Sequence, residues 1–258
     1  MSSPPFRLGI VSALHEEQAG LIETMRDAAT ETRGMRHYTS GKLWDIDCVC
    51  VLSRLGKVAA AATVATLIER FGVTHVVFTG VAGGADGKIK VGDVVVADAL
   101  VQHDMDATPL FPRYEVPLTG QSHFASDVHL TEALANATRH FVSLDVEEVI
   151  SPRDRNSFRL DQPIMHRGLI ASGDEFIDSR NKLAELKLAF PALLAVEMEG
   201  AAVAQVCFEF GVPFAVVRTI SDGANEEAPV DFLQFIERVA ARYAFGIVKR
   251  LCDELSKN

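Results

Sequence analysis

The sequence predicts a single α/β domain, with a mixed, mostly parallel sheet covered by helices on both faces. Three observations carry this. Short apolar runs with little polar alternation recur along the chain, as strands buried on both faces require. Stretches with apolar residues at helical spacing separate these runs. The 258 residues, 48% of them hydrophobic, can bury a sizeable core, and no internal repeat or linker divides them. Residues 1–258 are therefore expected to form one domain, with 1–6 as a flexible start.

Taken in order, Arg7 to Leu14 reads as the first strand and ends at His15-Glu16-Glu17. Gln18 to Ala28 carries Ala19, Leu21, Ile22 and Met25 at roughly helical spacing. Met35 to Ser40 and Trp44 to Leu52 read as strands around a Ser40-Gly41-Lys42 turn. Val58 to Phe71 is an Ala-rich helix stopped by Gly72. Thr74 to Thr79 is a buried strand that runs into Gly80-Val81-Ala82-Gly83-Gly84, and Val91 to Ala97 is the next strand. His103 to Phe124 holds Pro109, Pro112 and Pro117 with little periodicity, which marks a long loop of the kind that forms lids or binding segments. Ser126 to Phe141 is helical, and a polar insertion runs from Ser151 to Pro163. Arg167 to Ser172 is a strand, Ser179 to Phe190 a helix, Leu194 to Glu197 an acidic strand and Gly200 to Phe210 a helix. Val212 to Ile220 is the last strand; Asp231 is a candidate N-cap for a final amphipathic helix reaching about Leu255.

Composition removes several function classes. A net charge of −10 argues against a nucleic-acid partner, because phosphate binding brings a basic patch. The N-terminus lacks a basic start followed by an apolar signal core, and no apolar run approaches the roughly 20 residues of a membrane helix. Cys48, Cys50, Cys207 and Cys252 contain no C-x-x-C pair, and Cys48 and Cys50 alternate within a strand-like run, so core packing is expected of them. A cytoplasmic location follows as the default.

The chemistry concentrates in carboxylates at strand ends, where α/β proteins place ligands. Glu197 and Glu199, two residues apart in an extended segment, share one face, and a carboxylate is a natural partner for a sugar diol. A metal site would want histidines or a third acid at ligand spacing, and none is present. Asp222 follows Ser221 at the end of a nearly all-apolar strand, where packing gives no reason for an acid. Glu16 and Glu17 follow the first strand; one of them faces a cleft, or both form a solvated first helical turn. Gly80 to Gly84 admits a ligand close to the backbone or makes a tight turn, and it lacks both the dinucleotide and the P-loop spacing.

Seven segments in series carry a resemblance. They are Leu8-Gly9-Ile10 with Glu16-Glu17, Gly56-Lys57-Val58-Ala59-Ala60, Thr79 to Gly84, Val91-Gly92-Asp93-Val94-Val95, Ser172 to Ile177, Val196 to Glu199, and Arg218 to Asp222. Their order resembles the purine nucleoside phosphorylase/uridine phosphorylase superfamily across almost the whole chain, and within it the 5'-methylthioadenosine/S-adenosylhomocysteine nucleosidases. The resemblance implies hydrolysis of an N-glycosidic bond in an adenosine-type nucleoside, without metal or cofactor, by a homodimer. It implies that Asp222 protonates N7 of adenine with support from Ser221. Glu17 would act as general base on the water. Glu199 would grip the ribose hydroxyls, with Met198 beneath the sugar and Glu197 on its second side. Phe176 would stack on the base, with main-chain groups near Phe176 and Ile177 reading its edge. Val81, Ala82 and Gly83 would border the substrate, and Arg218 would orient an acid.

The departures from the family pattern bear on the nucleophile and on the 5' group. Val81 stands at a position that is commonly serine, and Phe78 where phosphorolytic relatives carry a phosphate-binding arginine; both disfavour phosphate. Arg54 replaces a usual glycine, Leu14 a usual methionine, and the 151–163 insertion is longer than typical. The segment Asp106 to Pro117, with Leu110, Phe111, Arg113 and Tyr114, corresponds to the loop that lines the 5' pocket of a neighbouring subunit in relatives. The alternatives are a phosphate-dependent nucleoside phosphorylase, and a related hydrolase whose substrate carries an acidic 5' group, met by Arg54 and Arg113.

Overall fold

The computed structural model describes residues 5–257. The first half comprises β1 (Leu8–Ser12), α1 (Leu21–Thr24), β2 (Arg26–Arg33), β3 (Arg36–Leu43), β4 (Ile46–Leu52), α2 (Lys57–Phe71), β5 (His75–Gly84), β6 (Val94–Gln102) and β7 (His123–Ala125). Helices α3 (Val128–His140), α4 (Val146–Val149) and α5 (Pro152–Phe158) follow. Then come β8 (Met165–Ser172), α6 (Arg180–Ala189), β9 (Leu193–Glu197), α7 (Gly200–Phe210), β10 (Phe214–Asp222), α8 (Ala228–Phe235) and α9 (Ala241–Leu255).

All these strands join one mixed sheet. β4, β1, β5 and β10 are parallel neighbours, and so are β6, β8 and β9. Antiparallel ladders β10–β6 and β9–β5 connect the two parallel sets, so β5, β10, β6, β8 and β9 close into a ring. β3 and β2 extend the sheet antiparallel beyond β4. Side chains alternate between two cores. Leu8, Ile10, Cys48, Cys50 and Val77 pack with Leu134 of α3 and with Ile247, Leu251 and Cys252 of α9. Val49, Val51, Val76 and Phe78 pack with Val64 and Leu67 of α2 and with Val203 and Cys207 of α7. Each such fully buried side chain contributes roughly 1.5–3 kcal/mol. The four cysteines are free and buried, as core packing requires.

Several boundaries differ from the sequence reading, each for a local reason. The helix expected over Gln18 to Ala28 is limited to α1; from Arg26 the chain is the exposed strand β2, paired only on its β3 side. The hairpin turn lies at Trp44-Asp45, both with positive φ (43° and 71°), and not at Gly41. Gly41 lies inside β3, where a Cβ would come 2.7 Å from the Arg26 carbonyl oxygen of β2, so the close strand approach accounts for the glycine. β6 starts at Val94, after a turn in which Gly92 has φ +88°, and continues to Gln102. The 151–163 insertion holds helix α5, N-capped by Ser151 and anchored by Arg238 Nε donating to Asp154 at 2.7 Å. The last helix starts at Ala228 with Pro229 in its first turn, so Asp231 is inside it and is not its N-cap. It passes through π-helical turns at Ile236–Ala240 into α9. Residues 1–4 of the expected flexible start lie outside the described residues, while Phe6 packs on His75 with ring centroids 4.6 Å apart.

Candidate active site

The C-terminal ends of β1, β5, β9 and β10 converge on a cavity of about 670 Å³, its open mouth included. Its lining brings together Glu17, Val81, Ala82, Gly83, Phe176, Ile177, Glu197, Met198, Glu199, Ser221 and Asp222. Arg218 lies outside this lining, buried within β10.

The turn His15–Glu17 after β1 decides between the adjacent acids. Glu16 is exposed, while Glu17 is only 4% exposed and points inward. Its Oε2 accepts from the N–H groups of Ala13 (2.8 Å) and Leu14 (2.9 Å), and its Oε1 from Val81 N–H (3.0 Å). Burial pushes its pKa up, while Arg218 and these three N–H groups pull it down, with a net rise.

The glycine run 80–84 forms the last half of β5. A Cβ at Gly80 would lie 2.8 Å from Glu17 Oε1, and one at Gly83 3.0 Å from Asp222 Oδ1. These glycines let two carboxylates approach the strand backbone.

The β9–α7 junction holds the other two glutamates. Glu197 Oε2 accepts from Arg218 Nη2 (2.7 Å), Arg218 Nε (3.3 Å), Glu199 N–H (3.1 Å) and Gly200 N–H (2.8 Å). Its Oε1 accepts from Gly200 N–H (3.0 Å) and the Ser172 hydroxyl. Glu197 thus borders the cavity with its acceptor capacity filled from within the protein, and the sugar contact expected of it finds no free lone pair. Glu199 is the opposite case: Oε1 accepts Gly56 N–H at 2.7 Å, and the rest of the carboxylate faces the cavity. Burial, then the neighbouring Glu197, raise its pKa to about 8.

At the end of β10, Asp222 is 2% exposed. Ser221 Oγ donates to its Oδ2 (2.7 Å) and Ala224 N–H to its Oδ1 (2.9 Å). Burial raises its pKa against both of these bonds. Arg218 stacks on Phe78, its Cζ 4.0 Å from the ring centroid, and pairs with Glu197. The guanidinium is thereby a support beneath the acids. Phe176 is 40% exposed and meets Phe232 edge-on at 5.7 Å, forming an aromatic wall, with Ile177 buried beside it.

Leu55, Glu175 and Phe232 also line the cavity, as does Leu14. The first three were not singled out from sequence. Phe232 belongs to the apolar pattern of the last helix and Leu55 lies beside Gly56, so no chemical signal marked them. Glu175 lies within the Ser172 to Ile177 segment, where its carboxylate is a signal that could have marked it. Arg54 and Arg113 are not in the lining. Arg54 Nη2 donates to the Met35 carbonyl (2.9 Å), and Arg113 pairs with Asp106 at 3.5 Å.

A mixed sheet closed around a nucleoside-sized pocket, with acids at its strand ends, defines the class. The sequence matches the phosphorylase superfamily over residues 7–253, and the chain belongs to that family. Among relatives, it is 35% identical to the 5'-methylthioadenosine/S-adenosylhomocysteine nucleosidase of Shewanella denitrificans over 249 residues, 96% of this chain and 99% of that protein. Its fold is similar to that of the same enzyme from S. pneumoniae solved with the transition-state inhibitor MT-ImmA. There the TM-score is 0.83 at 33% identity, covering 97% of this chain and 100% of that one. The futalosine hydrolase of Helicobacter pylori superposes with a TM-score of 0.81 at 33% identity, covering 96% and 98%.

Proposed function

We propose that this protein hydrolyses the N-glycosidic bond of 5'-methylthioadenosine and S-adenosylhomocysteine, releasing adenine and the thioribose product. The observation that carries this reading is the unequal hydrogen-bond capacity left on four buried acids. Glu17 has three N–H donors on about four lone-pair sites, which leaves room for one water. Glu199 has one donor and can accept two ribose hydroxyls. Asp222 has two donors and a raised pKa, which suits a neutral acid. Glu197 is filled, and serves to hold Arg218 and the β9–α7 turn.

In this reading the base is held between Phe176 and the Val81–Gly83 strand backbone, with Ile177 at its edge and Met198 under the sugar. Asp222 gives its proton to N7 while the bond between N9 and the anomeric carbon breaks, so adenine leaves neutral. Ribose passes through an oxocarbenium-like state beside Glu199 and Glu17. Water oxygen bonds to the anomeric carbon and its proton goes to Glu17. Burial holds the pKa of Glu17 above the ordinary glutamate value, the direction that strengthens a general base.

Water is favoured over phosphate. The lining carries Glu17, Glu175, Glu197, Glu199 and Asp222, and among the described residues it includes no lysine or arginine. The same balance disfavours an acidic 5' group. The reading also takes the protein to be a cytoplasmic homodimer, supported by four free thiols and by Leu110, 84% exposed on the 103–124 loop. Among the described residues no helix is long and apolar enough to cross a membrane.

The test is adenine release from methylthioadenosine and S-adenosylhomocysteine, with and without phosphate. Phosphate-independent release is expected. Strict dependence on phosphate, or no release from either nucleoside, would sink the proposal.

A further inference from the structure

Among the described residues one N–H group donates to the Glu199 carboxylate, and a ring of polar contacts outside the cavity holds that group. Gly56 donates to Glu199 Oε1 at 2.7 Å from a backbone with φ +93°, which suits glycine. The next residue, Lys57, opens α2, and its N–H donates to Asp174 Oδ1 at 2.8 Å. Two successive N–H groups at the start of one helix are therefore divided between two carboxylates, one in the cavity and one outside it.

Asp174 is itself held. Its N–H donates to Asp104 Oδ2 at 2.9 Å, and Asp104 Oδ1 accepts Lys57 Nζ at 2.5 Å. The ring thus runs from Lys57 N–H through Asp174 and Asp104 back to the Lys57 side chain. Lys57 Nζ also donates to Gln102 Oε1 (3.0 Å), and Gln102 Nε2 to Gln205 Oε1 (2.6 Å) on α7, the helix that Glu199 caps. The Lys57 and Asp104 side chains are 16% and 30% exposed, so solvent screens their pair only in part. Asp174 lies two residues before Phe176, on the segment that walls the base side of the cavity.

We propose that Asp174 is a positioning residue for Glu199, holding the start of α2 so that the Gly56 N–H aims the carboxylate at the sugar and ties the base segment to the sugar clamp. The inference rests on the nucleosidase reading above. Asp174 touches no substrate; it acts through the aim of Glu199, whose misplacement by about 1 Å is enough to lower the rate strongly.

The experiment compares Asp174→Ala with wild type on methylthioadenosine and on its 2',3'-dideoxy analogue, which offers Glu199 no hydroxyl. On methylthioadenosine kcat/KM should fall by up to roughly tenfold, as for one misaligned hydrogen bond. On the analogue it should fall less than about twofold, and adding Asp174→Ala to Glu199→Gln should cost nothing further. Asp174→Asn keeps an acceptor for Lys57 N–H and should recover most of the activity. Lys57→Met and Asp104→Asn open the same ring and should give the same substrate pattern if Asp174→Ala does not fold. Equal losses on both substrates from a variant that melts like wild type would overturn the proposal while leaving the nucleosidase reading intact. A wild type that does not cleave methylthioadenosine would overturn both.

Discussion

Asp222→Asn is the sharpest perturbation, because the substitution is nearly isosteric and the surroundings are known. The side chain is 2% exposed and makes two hydrogen bonds, from Ala224 N–H and from Ser221 Oγ. An asparagine keeps both contacts: its oxygen accepts Ala224 N–H, and its amide donates to Ser221 Oγ. Ser221 then keeps its hydroxyl on the Ala82 carbonyl, already 3.3 Å away. The fold should therefore be retained. At pH values above the raised pKa of Asp222 the variant should be at least as stable as wild type, since it no longer buries a charge. What it loses is a proton for N7. General acid catalysis is worth about 10²–10⁴-fold, so a loss near 10³, or ~4 kcal/mol of barrier, is expected. The pH profile gives a second readout. Wild type needs Asp222 protonated, so its activity falls as pH rises through the raised pKa; the variant should lack that alkaline limb. Adenine release by purified protein, followed across pH, measures both. A folded variant within tenfold of wild type, or one that keeps the alkaline limb, would refute the assignment of Asp222 as the acid.

Gly80→Ala places a Cβ 2.8 Å from Glu17 Oε1 and 3.3 Å from Arg218 Nη1. It should lower kcat about 10²-fold with little change in KM, because it displaces the base and leaves the base-binding wall intact; steady-state kinetics check this. Arg218→Met strands the buried Glu197 carboxylate and should cost about 3–5 kcal/mol in urea unfolding at neutral pH. Glu17, Glu199 and Asp222 all have raised pKa values, Glu199 from 4.5 to about 8. For Glu199, in the window from about pH 4.5 to about 8, the native state holds a proton that the unfolded chain has released, so stability should fall as pH rises, by up to ~1.4 kcal/mol per unit. Glu17 and Asp222 push in the same direction above their ordinary values. Unfolding series across that window, with Glu199→Gln flattening the slope, measure it.

The readable parts of this chain were those where periodicity and chemistry agree. α7 and α2 follow from Ala-rich helical spacing closed by Gly211 and Gly72, both in the left-handed conformation. The errors arose where one residue type serves two purposes. Gly41 read as a turn and Gly80–Gly84 as either a turn or a place of close approach, and both lie inside strands, where at Gly41, Gly80 and Gly83 backbone or carboxylate comes too near for a Cβ. The helical spacing of Ala19, Leu21, Ile22 and Met25 carried the expected helix on to Ala28, three residues into β2. Arg26–Arg33 is polar and exposed, and only its partner β3 makes it a strand. At the site, sequence order and resemblance located the acids, while the way they divide depended on donors from distant segments. Glu197 and Glu199 look equivalent two residues apart; Arg218, Ser172 and Gly56, each at least 21 residues away, make one saturated and the other open.

The same distribution of donors supports the proposed choice of water as nucleophile, with Glu17 as its base. A phosphate at the sugar face would enter a cavity lined by five carboxyl groups, of which Glu17 must be ionised to act as base. It would need a cation to compensate. The nearby Arg218 is not available, because its guanidinium lies against Phe78 at 4.0 Å and is bonded to Glu197 at 2.7 Å. Phe78 therefore does more than occupy a position where phosphorolytic relatives carry arginine. It provides the aromatic face that keeps Arg218 beneath the acids, where the charge lowers the pKa of Glu17 without reaching the cavity. A neutral water bound by Glu17 meets no repulsion in this setting, whereas a phosphate dianion would be repelled by the group meant to activate the nucleophile. In the proposed reading, the contacts that hold Glu17 as base for hydrolysis are the same ones that disfavour phosphorolysis.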